Sequence, residues 1–113
     1  MFNEDFRHGR TFNFDGSNNP YITLNNWVAD KHPDRFIVRG VFTHNKSAYG
    51  EKGVIVTDGF NIDVPEHLIK DIKKILANDM YIEAINNGKC AFLCSSYVDK
   101  NGITRNSGNF IDN

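Results

Sequence analysis

The chain has 113 residues, 40% hydrophobic and 24% charged, with a formal net charge of −1 and a pI of about 6.4. At that length one domain buries roughly two-thirds of its unfolded surface, so the composition excludes a disordered chain and leaves no room for two independent domains. The near-neutral charge excludes a general basic field for polyanions, and any nucleic-acid binding has to rest on a local patch.

The first residues, Met1 to Arg7, carry neither the basic start nor the apolar run of a secretion signal, and no apolar stretch approaches the ~20 residues that span a bilayer. A cytoplasmic protein without membrane contact is the expectation. Residues 1 to 34 are rich in Asn and Asp and are broken by Asp15-Gly16-Ser17-Asn18-Asn19-Pro20, a dense group of turn formers. This pattern predicts an N-terminal β-hairpin arm with strands at Thr11 to Phe14 and Tyr21 to Trp27.

The core domain is expected to fill residues 35–113. Phe36 to Thr43 is the strongest strand signal, with Phe36, Val38, Gly40 and Phe42 on one face and Ile37, Arg39, Val41 and Thr43 on the other. A polar loop, His44 to Gly53, leads to a second strand at Val54 to Thr57, and Asp58-Gly59 turns the chain into a third at Phe60 to Val64. Pro65 suits a first helical turn, with Asp63 placed to cap it or to favour its N-terminal dipole. Leu68, Ile69, Ile72, Ile75 and Leu76 then form one apolar helical stripe. Asn78 or Asp79 can cap a second helix that Gly88 ends. Cys90 to Val98 returns to strand, Asp99-Lys100-Asn101-Gly102 turns, and a last strand runs from Ile103 towards Ile111. The order predicts an α+β fold: an antiparallel sheet of about five to seven strands with two consecutive helices on one side, preceded by the hairpin arm.

Motifs for chemistry are sparse. His8, His32, His44 and His67 are far apart, and Cys90 and Cys94 on one strand would have Cα atoms ~13 Å apart. That separation exceeds the ~7 Å limit for a disulfide, so both are expected as free thiols. Metal ligands, cofactor motifs and catalytic residues are therefore not expected, and Tyr49-Gly50-Glu51-Lys52-Gly53 lacks P-loop spacing.

Recognition-like composition remains in two places. Tyr21 and Trp27 in the arm, with His44, Lys46, Tyr49 and Lys52 in the loop, form a candidate protein-contact surface, since Trp and Tyr are enriched at hot spots. The alternative grouping, Arg39, Phe42, Lys46, Tyr49 and Lys52, mixes cations and rings as single-strand nucleic-acid binders do. Ordinary packing competes with both: Phe42 and Trp27 covering a core, Tyr49 folded back on the sheet, and Lys70, Lys73 and Lys74 solvating a helix end.

Phe36-x-Val38-x-Gly40-x-Phe42, Lys46-Ser47-x-Tyr49-Gly50-Glu51-Lys52-x-Val54, Asp58-Gly59-Phe60, Pro65-x-His67-Leu68 and Ile85-x-x-Gly88-Lys89 resemble small uncharacterised accessory proteins of Firmicutes phages and conjugative elements. The likeness covers residues 35–98 and leaves the arm outside it. It implies a mobile-element accessory protein in a bacterial host cell. Such a protein would act by protein contact as an anti-CRISPR-like inhibitor of an RNA-guided nuclease or another defence complex. The alternative is a single-stranded nucleic-acid accessory protein with an oligonucleotide-binding-like sheet. An exposed edge of the sheet would permit a dimer.

Overall fold

A computed structural model of the chain describes residues 12–45 and 50–113, the side chain of Asn45 excepted. The fold is α+β. In chain order it has β1 (Tyr21–Thr23), α1 (Leu24–Ala29), β2 (Arg35–Ile37), β3 (Gly40–Asn45), β4 (Glu51–Thr57) and β5 (Phe60–Val64). A 3-10 turn (Glu66–Leu68) then leads into α2 (Ile69–Leu76), α3 (Asp79–Asn86), β6 (Cys90–Val98) and β7 (Thr104–Asp112). The strands make two sheets, not one: β1-β5-β4-β3, in which β1 runs parallel to β5, and the antiparallel β2-β6-β7.

The division falls inside the segment that reads as the best single strand. Val38 N–H donates to Cys90 O in one sheet (3.0 Å), while the next amide, Arg39 N–H, donates to Val56 O in the other (2.8 Å). Thr57 Oγ1 donates to Ile37 O across this corner (2.9 Å) and holds the two sheets together. The break also shifts the inward face, because Val41, on the face expected to carry Arg39, is 1% exposed while Phe42 is only half-buried.

The N-terminal hairpin does not form among the described residues. Phe12 to Phe14 make bends, with the Phe12 ring packed over Gly40, and Thr11 lies outside the described residues. Only Tyr21 to Thr23 extends, after which the chain becomes helical. Thr23 Oγ1 accepts from Asn26 N–H (3.1 Å) and caps α1. Leu24 and Trp27, three residues apart on α1, are both buried, so residues 21–29 belong to the packed body and are not an arm.

The helical readings hold better. Leu68, Ile69, Ile72 and Ile75 are buried as one stripe, and full burial stabilises by roughly 1.5–3 kcal/mol per large aliphatic side chain. Helix α2 lies close on β4 because position 53 is Gly, where a Cβ would sit 2.8 Å from Ile72 Cδ1. Asn78 Oδ1 caps α3 by accepting from Met80 N–H (2.9 Å). Asp63, expected to cap the first helix, does not: the 3-10 turn starts after Pro65 without a side-chain cap.

Candidate functional site

Between the two sheets opens a cleft of about 1190 Å³. Strand pairing builds its floor. His44 on β3 stands opposite Lys52 on β4, and Asp63 on β5 stands opposite Val54, two residues along β4 from Lys52, so all three side chains share one sheet face. The turn after β5 and the first turn of α2 supply one wall with Pro65, Glu66, His67 and Lys70, and the β6–β7 hairpin supplies the other with Tyr97, Arg105 and Asn106. Tyr21 and Thr23 of β1 and Leu24 and Asn25 of α1 complete the rim.

Three contacts fix the hairpin wall. The His67 Nε2 and Ser107 Oγ atoms are hydrogen-bonded at 2.7 Å, and the Tyr97 ring stands edge-on to His67 with centroids 6.0 Å apart. Asn106 Nδ2 donates to Asn25 Oδ1 (2.9 Å). At the tip, Asp99 accepts from the amides of Asn101 (2.8 Å) and Ile103 (3.0 Å) and from Arg105 Nε (2.9 Å). The Ile103 amide, then the Arg105 guanidinium, hold its carboxyl below the usual carboxylate range. Arg105 therefore reaches the cleft with its charge already partly matched.

Two buried polar atoms in the lining residues, His44 Nε2 and Asp63 Oδ1, have no hydrogen-bond partner among the described residues. A buried polar group left unpaired costs about 1–3 kcal/mol, so both atoms are local costs in the sheet face beneath the cleft. No salt-bridge partner reaches Lys52, Lys70 or Glu66 among the described residues. The lining thus alternates cations, carboxylates and exposed tyrosines without accumulating one charge.

Of the residues singled out in the sequence, the cleft collects Tyr21, 56% exposed, together with His44 and Lys52. Trp27 is not a surface anchor. It is 5% exposed, stacked on His32 (4.3 Å), edge-on to Phe36 (5.1 Å) and Phe60 (5.5 Å), and its Nε1–H donates to Pro33 O (2.9 Å). Lys46 and Tyr49 lie outside the described residues. Neither Arg39 nor Phe42 lines the cleft. The Arg39 guanidinium is held by both carboxylate oxygens of Asp58 at 3.0 and 3.3 Å, and Phe42 is half-buried on β3.

Sequence reasoning missed Asp63, Glu66, His67, Tyr97, Arg105 and Asn106 as members of one site. The only local signal for the last three was Tyr97 and Arg105 on facing hairpin strands, which the register pairs directly. Lys70, read with Lys73 and Lys74 as helix solvation, separates from them: Lys73 Nζ binds Glu51 at 2.7 Å and lowers its pKa, while Lys70 faces the cleft.

A smaller cleft of about 580 Å³ lies between α2, α3 and β7, lined among others by Lys74, Tyr81, Lys89, Cys90 and Phe110. Cys90 and Cys94 are free and half-buried, and burial pushes both thiols up to about 11, with Asp112 and Asp34 adding to the effect. Both stay protonated at neutral pH, the opposite of what a nucleophilic cysteine needs. Among the described residues no three His, Cys, Asp or Glu side chains gather as metal ligands would, and no helix is long and apolar enough to cross a membrane. No protein family, curated protein or solved structure matches the chain.

Proposed function

We propose that this is a non-enzymatic binding protein that grips a segment of a partner protein in the cleft between its sheets. The observation that carries the reading is the cleft between the sheets, rimmed by exposed Tyr21 and Tyr97 and lined by side chains of both charges, among them Lys52, Lys70, Asp63 and Glu66. Tyrosines supply rigid contact area at low entropic cost, and mixed charges suit a protein surface better than a polyanion. At about 1190 Å³ the cleft exceeds the usual ~300–1,000 Å³ of a small-molecule pocket, and most of the residues along it are polar or charged. The resemblance of residues 35–98 to mobile-element accessory proteins supports a host defence or nucleoprotein complex as the partner, in the manner of an anti-CRISPR inhibitor.

A photo-reactive phenylalanine analogue placed at Tyr21 or Tyr97 tests this in bacterial cells that carry defence complexes. The expected outcome is the same discrete protein adduct from both positions and none from Met80, which is 78% exposed on α3. Adducts of equal yield from all three positions would remove the cleft from the account.

A second reading is favoured by Lys52 and Lys70 beside Tyr21 and Tyr97: a single nucleic-acid strand with phosphates on the amines and bases on the rings. It predicts binding that weakens steeply with salt and with Lys52→Ala.

A further inference from the structure

The β6–β7 hairpin runs past the rest of its sheet. Strand β2 covers β6 only as far as the pair Arg35↔Leu93, and beyond it Cys94 N–H donates to Asp34 O (2.7 Å). That bond sets the parity of β6. In an antiparallel strand each residue sends its N–H and C=O to the same side, and the side alternates along the chain. Cys94 points away from β7, as does Cys90, whose C=O accepts from Val38 N–H. Ser96 and Val98 must therefore do the same, and no strand or loop among the described residues meets their outward amides and carbonyls.

This open edge is unguarded. Ser95, Ser96, Tyr97 and Val98 are all exposed, and the stretch has no proline, lysine, other charge or bulge of the kind that blunts native edge strands. Tyr97 (46%), Val98 (66%) and Ile103 (51%) put large apolar side chains in water around it.

We propose that a second copy of this chain pairs with the open edge, antiparallel and about a two-fold axis at Tyr97. Ser96 of each copy faces Val98 of the other in that register, so the four outward amides all find carbonyls, and Tyr97 meets its counterpart in a close, non-hydrogen-bonded pair. Sliding the axis to Ser96 would oppose Val98 to Cys94, whose amide is already taken by Asp34. The two-fold at Tyr97 also brings the turn residue Lys100 of one copy towards Asp34 of the other, an attractive contact made twice. Neither residue has a salt-bridge partner within its own chain among the described residues. Tyr97 lines the cleft, so the paired sheet sets the walls of two clefts side by side in a bivalent surface. The pairing stands on the edge geometry alone, whatever the cleft binds.

Sedimentation equilibrium of the full chain over a wide concentration range tests the pairing. The expected result is a mass that climbs from monomer towards dimer, as befits a small interface. Ser96→Pro removes an outward amide while leaving the β6–β7 bonds intact, and should weaken the dimer at least about tenfold. Lys100→Glu and Asp34→Lys should each weaken it, and the two together should restore it. Tyr97→Cys should cross-link to itself under mild oxidation far faster than Met80→Cys. A wild-type chain that stays monomeric at every concentration, with Tyr97→Cys cross-linking no faster than Met80→Cys, would overturn the proposal. So would a dimer unaffected by Ser96→Pro.

Discussion

The helix from Leu24 to Ala29 and the tip of the β6–β7 hairpin have similar compositions, with an aromatic residue among apolar and small polar residues, and the fold treats them oppositely. The first carries Leu24 and Trp27 at 1% and 5% exposure, while the second holds Tyr97 and Val98 at 46% and 66%. Periodicity separates them. Leu24, Trp27 and Val28 recur at i, i+3 and i+4, so one helical face can take all three inward, and Thr23 is a ready cap. The tip alternates with period two on a ribbon that meets the rest of the body through polar and edge contacts, Tyr97 and Ser107 on His67 and Asn106 on Asn25, so both sets of side chains stay largely in water. An aromatic residue in a polar context thus says little about recognition until its period and the layer opposite it are known.

The sharpest way to break this comparison is Trp27→Ala. A buried indole with three ring neighbours and a hydrogen bond should cost about 3–5 kcal/mol in urea unfolding, whereas a Trp on an exposed arm would cost almost nothing. Next comes the root of the hairpin, where β7 is packed although its tip is not. At Gly108 a Cβ would meet the Phe92 ring at 2.4 Å and Leu93 O at 2.6 Å. Gly108→Ala should therefore destabilise by about 1–3 kcal/mol, although alanine is otherwise the better residue in a strand.

Thr23→Ala removes the cap of α1 and should lower stability by about 1 kcal/mol in the same assay, an effect absent if residues 21–27 were a continuous strand. The smallest effect is expected at the tip. Tyr97→Ala should change stability by no more than about 0.5 kcal/mol while reducing partner capture, so its unfolding midpoint should match wild type.

Much of the body was legible in the sequence because each signal was local. The apolar stripe from Leu68 to Leu76, the cap at Asn78, the turns at Asp58-Gly59 and Asp99 to Gly102, and the strands from β5 onward needed only spacing and turn chemistry, whereas the polar residues His44, Asn45 and Glu51 to Gly53, read as loop, are held in β3 and β4 by their pairing. The corner at Val38 and Arg39 was not legible, since nothing in Phe36 to Thr43 marks where one sheet hands the chain to another; that choice is made by Cys90 and Val56, far away in sequence. The site suffered for the same reason. His44 and Lys52 lie on neighbouring strands and were grouped by proximity, but His67, Tyr97 and Arg105 reach the cleft only through the His67–Ser107 bridge and the β6–β7 register.

The central claim, that the cleft takes protein and not a nucleic-acid strand, is tested most directly by titrating the purified chain against fluorescent single-stranded DNA at low and at physiological salt. The balanced charges of the lining predict no saturable binding at either condition. Tight binding that falls away with salt and is lost in Lys52→Ala would contradict the account and assign the cleft to nucleic acid.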